Sequence, residues 1–149
     1  MNLDDLAKAE LTSTWKERWI ADQLSGVLAA MADARAEGEI DSALILTAQR
    51  HRTQAAALEL FELAQPWADS ILGFGLGAAE RGNPPAKFAD YYALCRERGF
   101  RTTIHAGEDG PASYVREALD VCHPDRIDHG VARGRRPRAG GPAAGRASR

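Results

Sequence analysis

The chain has 149 residues, 44% of them hydrophobic and 27% charged, with a formal net charge of −2. That length holds one domain with a real core, and no apolar run approaches the roughly 18 residues that a membrane span needs. Met1 leads into Asp4, Asp5 and Glu10 rather than a basic and then apolar stretch, which argues against a secretory signal peptide.

The charge is unevenly spread. The stretch from Ala132 to Arg149 holds six arginines and no acid, so Met1 to Val131 carries 13 basic against 21 acidic residues. An acidic body with a basic tail does not describe a nucleic-acid-binding domain. The two cysteines, Cys95 and Cys122, sit in helical patterns among apolar neighbours, as expected of buried thiols in a reducing cytoplasm rather than of a disulfide.

In chain order, residues 1–41 read as an N-terminal helical segment. Thr14 and Glu17 fit a capping box ahead of Trp19, Ile20, Leu24, Val27, Leu28 and Met31, with Gly38 as the stop. Residues 2–38 read as helical throughout, and whether residues 1–13 are a separate short helix or a frayed lead-in stays open. Trp15 and Trp19, four apart, are expected to face the core. Ser42 to Thr47 is a short apolar run, the pattern of a strand buried on both faces. Thr53 to Ala64 reads as an amphipathic helix stopped near Pro66. Ser70 to Gly75 is a second strand with a glycine-rich loop after it to Asn83, and Pro84 or Pro85 opens the next helix, which ends at Gly99. Phe100 to His105 is a third strand. Pro111 to Cys122 is a helix with Tyr114, Val115, Ala118, Leu119 and Val121 inward, and Arg126 to His129 is a fourth strand.

Strand and helix alternate about every 25 to 30 residues, the parallel βα repeat. The expected fold is therefore α/β: a partial βα barrel of about four parallel strands over residues 42–131. An open doubly wound sheet is the alternative that periodicity leaves in place. The tail, 132–149, uses only Ala, Arg, Gly, Pro and Ser. It cannot bury enough apolar surface to offset ordering and is expected to be disordered. It reads either as an arginine- and glycine-rich nucleic-acid arm or as the product of a shifted reading frame through GC-rich DNA, and the second is favoured.

Chemistry concentrates in Arg101–Gly110, RTTIHAGEDG. A strand runs into His105, then small Ala106 and Gly107, then Glu108 and an Asp109-Gly110 turn. Neutral imidazole is a good zinc ligand, and a carboxyl three residues on can handle protons beside the metal. H-x-x-E is a loose pattern, however, and suits a solvated loop as well. His129 lies 24 residues after His105, one βα unit on, so the two strand ends should be neighbours. Asp128 should alternate to the other face of its strand, and His51 and His123 should face solvent. Gly73 to Ala78 satisfies G-x-G-x-x-A. A dinucleotide site needs a helix opening on the third glycine, but Glu80, Arg81, Gly82, Asn83 and two prolines intervene, so chance is the favoured reading.

Taken together, the His-Ala-Gly-Glu box at His105–Glu108, the segment Gly110–Asp120, the box Arg126-Ile127-Asp128-His129-Gly130-Val131 and the loop Gly75–Pro85 with its following Ala-Lys-Phe resemble the adenosine and adenine deaminase family of zinc hydrolases. The resemblance covers roughly Ile40 to Val131, and boxes in this order and spacing are far more specific together than singly. It implies a βα barrel with one zinc ion at its mouth and hydrolytic removal of a purine amino group, with a purine base or nucleoside as substrate. It implies that His105 is a zinc ligand, that Glu108 protonates the purine ring nitrogen, and that His129 orients or deprotonates the attacking water. The adenine branch is the nearer in Glu80–Phe88 and Ile127–Gly130, although Ala78-Ala79 fits neither branch.

Departures from the pattern shape the expectation. The family's His-x-His pair is nowhere in the chain, and its later Asp-Asp pair has no counterpart after His129. One family zinc ligand remains, and a lone imidazole does not hold zinc. The chain is therefore expected to be an internal piece of such an enzyme, equivalent to strands three to six, and inactive by itself. Unpaired parallel edges near Leu44–Leu46 and Ile127–His129 invite self-association. The alternative is a non-catalytic binding remnant that uses those edges or the tail.

Overall fold

The computed structural model describes the backbone of residues 3–38 and 40–134 and the side chains of residues 15–38 and 40–132. Helix α1 (Leu3–Ala36) leads into a four-stranded sheet of β1 (Leu44–Gln49), β2 (Ile71–Gly77), β3 (Arg101–Ala106) and β4 (Arg126–His129), with α2 (Gln54–Ala64), α3 (Ala89–Glu97) and α4 (Ala112–Glu117) crossing between successive strands. The strands pair in sequence order and all are parallel. This is the partial βα barrel read from the sequence, not the doubly wound alternative, whose strand order would reverse.

Local chemistry accounts for the helix boundaries. Thr53 is the N-cap of α2, its side chain accepting from the Ala56 N–H at 3.2 Å. No side chain of its own caps α3; Gln54, across the layer, accepts from the Asp90 N–H at 2.9 Å and donates to the Asp90 carboxylate at 2.9 Å. The chain leaves α3 through Gly99 at φ +81°, a left-handed conformation that glycine enters without a Cβ penalty.

Ala57, Phe61 and Ala64 form the buried stripe of α2 at helical spacing. Phe61, Phe74 and Phe100 close the core beneath it, with ring centroids 4.9 Å apart for Phe61–Phe74 and Phe74–Phe100. Tyr91 and Tyr92 enter fully buried from α3, and their hydroxyls donate to Gly75 O at 3.3 Å and Thr103 O at 2.7 Å. The polar ends are thus satisfied by strand carbonyls. Cys95 and Cys122 are free and buried, as expected. Burial pushes their thiols up, to about 12 and about 11 respectively. No helix among the described residues is long and apolar enough to cross a membrane.

Several expectations change. The helix does not begin at Thr14: α1 runs unbroken from Leu3, so residues 3–13 are neither a separate helix nor a lead-in. Trp15 and Trp19 are 64% and 53% exposed; only Ile20 and Leu24 of the apolar series are fully buried, because α1 packs chiefly against α2, to which Lys16 is tied through Glu59. Strand β1 is half-buried rather than covered on both faces; among the described residues it is an edge, with a neighbouring strand on one side. Strand β2 runs on to Gly77, two residues past the expected Gly75, and the loop begins at Ala78. With no helix opening at its third position, Ala78, the G-x-G-x-x-A match has no dinucleotide geometry. The last helix widens to a π turn at Ala118–Cys122, which shifts its phase and leaves Leu119 51% exposed. Residues 132–134 of the expected disordered tail lie in a 3-10 turn that begins at Val131; residues 135–149 lie outside the described residues.

Candidate active site at the strand ends

Three groups converge where β3 and β4 end. His105 is the penultimate residue of β3, Glu108 follows in the loop, and His129 closes β4. His105 Nδ1 and His129 Nε2 are 3.2 Å apart, an imidazole–imidazole hydrogen bond whose donor depends on the tautomer. The Glu108 carboxylate stands 3.4 Å from His129 Nε2. One ligand-competent atom from each of the three lies within 4.8 Å of the others.

The register explains how two imidazoles meet. Parallel pairing sets His105 opposite Asp128 and Ala106 opposite His129. Strict alternation would turn His129 away, but its backbone is left-handed, with φ +70°, and this swings the ring back over His105. Asp128 therefore does not face the other way, as alternation from His129 predicts. Its Oδ2 lies 3.8 Å from His105 Nε2 and accepts the Thr103 hydroxyl at 2.6 Å, while Oδ1 accepts from Arg126 Nε at 2.8 Å. Burial opposes ionisation of this carboxyl, yet the hydrogen bonds from Thr103 and Arg126, with the Arg126 and His105 charges, hold it below its ordinary value. It is a carboxylate beside His105 that the sequence pattern did not reveal.

Two further residues were missed. Arg50, just past β1, and Glu80, past β2, are 0% and 1% exposed and face each other at 4.0 Å. Both lie in loops, where periodicity carries no signal. The only sequence hint is a charged residue next to a strand end in a βα repeat. His51 and His123 are exposed, as expected, and neither joins the cluster.

Two imidazoles and a carboxylate suit a zinc-type divalent ion in both donor type and separation. The fold and this donor set define a βα protein with an acid–base and candidate metal centre at the carboxyl ends of its strands.

Comparison with known proteins narrows the class. The adenosine deaminase family model matches residues 11–137. An adenine deaminase of Rhodopseudomonas palustris is 54% identical over 109 residues, 73% of this chain and 32% of that protein. An adenine deaminase of Ralstonia pickettii is 47% identical over 112 residues, 72% of this chain and 32% of its own. Among solved structures, the adenine deaminase from Arthrobacter aurescens superposes with a TM-score of 0.69 at 43% identity, covering 72% of this chain and 33% of that one. An amidohydrolase from Burkholderia ambifaria with bound zinc gives 0.71 at 34% identity, covering 75% and 31%. The chain belongs to the adenosine deaminase family, and it spans about a third of the length of the curated relatives it matches.

Proposed function

We propose that these residues supply part of a purine deaminase site that hydrolyses the exocyclic amino group of an adenine-type base or nucleoside. The observation that carries the reading is the meeting of His105, Glu108 and His129, from consecutive βα units, within 4.8 Å. His105 is assigned as a zinc ligand, its far nitrogen steadied by Asp128. A divalent ion there would supply Lewis-acid chemistry and make water acidic enough to serve as a nucleophile near neutrality. Glu108 delivers a proton to the purine ring nitrogen, which makes the adjacent amino-bearing carbon electrophilic. His129 accepts one proton of the attacking water, whose oxygen bonds to that carbon, and returns it to the amino nitrogen, so that the carbon–nitrogen bond breaks and ammonia leaves. The adenine deaminases among the relatives favour adenine over adenosine as the substrate.

Of these three donors only His105 is assigned to the metal, with Glu108 and His129 handling protons, so by itself the chain should neither retain the ion nor turn over. Purified 149-residue protein should contain far less than one zinc per chain and release no ammonia from adenine or adenosine. Stoichiometric zinc with turnover would overturn this. We also propose that the unpaired edges of β1 and β4 promote self-association.

A further inference from the structure

The loop that carries Glu108 has no apolar anchor: residues 107–110 are Gly, Glu, Asp and Gly. Polar contacts must fix it, and one side chain dominates them. The Glu80 carboxylate accepts the backbone N–H groups of Gly107 at 2.6 Å, Glu108 at 2.9 Å, Asp109 at 3.1 Å and Gly110 at 2.9 Å. Four successive N–H groups turned inward, with Gly107 at φ +74°, form a concave anion cradle filled by the protein's own carboxylate. Burial works against the charge on Glu80, but the four N–H groups together hold its carboxyl below the ordinary value.

Arg50 completes the clamp with the opposite charge. Its guanidinium donates through Nη1 to His105 O at 2.5 Å and through Nε to Asn83 O at 3.0 Å. Lys87 Nζ in turn donates to Arg50 O at 3.0 Å and Asn83 Oδ1 at 3.1 Å. From the β4 side, Gly130 N–H bonds Ala106 O and Ala132 N–H bonds Gly107 O, each at 2.9 Å. Every peptide from 105 to 110 is thereby tied at its carbonyl or its N–H. The Glu108 N–H is itself one of the bonded groups.

We propose that Glu80, seated by Arg50, is a positioning residue for Glu108: by gripping the backbone of residues 107–110 it sets where the Glu108 carboxyl stands against His105 and His129. The functional importance of this rests on Glu108 as the proton-handling group proposed above. The geometry itself can be tested without metal or turnover.

The test is NMR on the full 149-residue chain, unaltered and as Glu80→Gln and Gly110→Ala. The first variant keeps the shape and removes the charge. The second keeps both ions, because a Cβ at 110 would come within 2.6 Å of Glu80 Cδ and push the carboxylate off its cradle. In the unaltered chain the four amides should exchange slowly, and the Glu108 side chain should show contacts to the His129 ring. In each variant, exchange at residues 107–110 should accelerate by about tenfold or more, as expected for lost charge-assisted hydrogen bonds, while Leu76 and Ile104 keep their protection. The contacts between Glu108 and His129 should vanish with it. Unprotected amides in the unaltered chain would overturn the proposal. So would released amides with the Glu108–His129 contacts intact, which would make Glu80 a structural residue only. Should Glu80→Gln fail to fold, Gly110→Ala decides by the same two readings. Absence of zinc or activity would count against the deaminase reading and leave both readings of this test unaffected.

Discussion

Asp125 shows how one side chain can tie two strands and make that tie pH-dependent. Its carboxylate accepts the Thr102 N–H at 2.8 Å, the Thr102 hydroxyl at 3.1 Å and Arg101 Nη1 at 2.9 Å, joining the start of β3 to the residue before β4. The Thr102 backbone bond and then the Arg101 hydrogen bond hold this carboxyl below its ordinary value of 3.8. A depressed folded value means that the stabilisation is fully present above the unfolded value and is lost as pH falls through the folded one. Asp125→Asn should therefore cost about 1 kcal/mol at neutral pH. It should also flatten the acid side of the stability profile, so that its deficit shrinks towards pH 3. Urea midpoints at pH 7 and pH 3 for both proteins give the answer; equal midpoints at pH 7 would show that the tie contributes nothing.

At the scale of the elements, β2 holds one position, Gly73, where the neighbouring strand leaves no room for a side chain. A Cβ on Gly73 would meet Arg101 O at 2.2 Å, and that atom is backbone in the paired strand. Gly73→Ala should pry β2 from β3 and lower stability by about 2 kcal/mol or more. Thermal unfolding followed by far-ultraviolet circular dichroism checks this, and an unchanged midpoint would contradict it. The same strand marks the boundary of what the sequence disclosed. Alternation of apolar runs and turn residues located all four strands, β4 at its observed bounds, because each is flanked by helices of clear period. Of the glycines of β2 only Gly77 was read as loop, since nothing in one sequence says that a glycine is there for close approach rather than for a turn. The meeting of His105, Glu108 and His129 at the strand ends was legible, because all three stand in motifs. Arg50 and Glu80 were not, because a buried ion pair in two loops has neither period nor motif. Trp15 and Trp19 were misjudged for a related reason: helical spacing defines a stripe, and tertiary contacts decide how much of it is covered.

On the whole-molecule scale those tryptophans acquire a consequence. They flank a groove on the β1 side of the sheet with Ile20, Ala56, Leu60 and Leu63, next to the strand edge that has no partner among the described residues. An open parallel edge beside exposed indoles offers backbone hydrogen bonds and apolar burial to the same incoming surface, and single chains seldom leave both uncovered. The 16.1 kDa chain should therefore gain mass on concentration, and its tryptophan emission should shift to the blue as Trp15 and Trp19 leave water. Trp67, already partly buried in the core, should contribute little to that change. The double substitution Trp15→Glu and Trp19→Glu places charge on the face and should weaken association by about tenfold or more, given the area two indoles bury. Sedimentation velocity over a concentration series separates the outcomes. A mass that rises for the parent and stays at one chain for the variant places the contact on the β1 side. A mass that rises equally for both moves it to the β4 edge, where Val131, 68% exposed, is the next residue to change. A mass fixed at one chain for the parent would show that neither edge recruits a second copy.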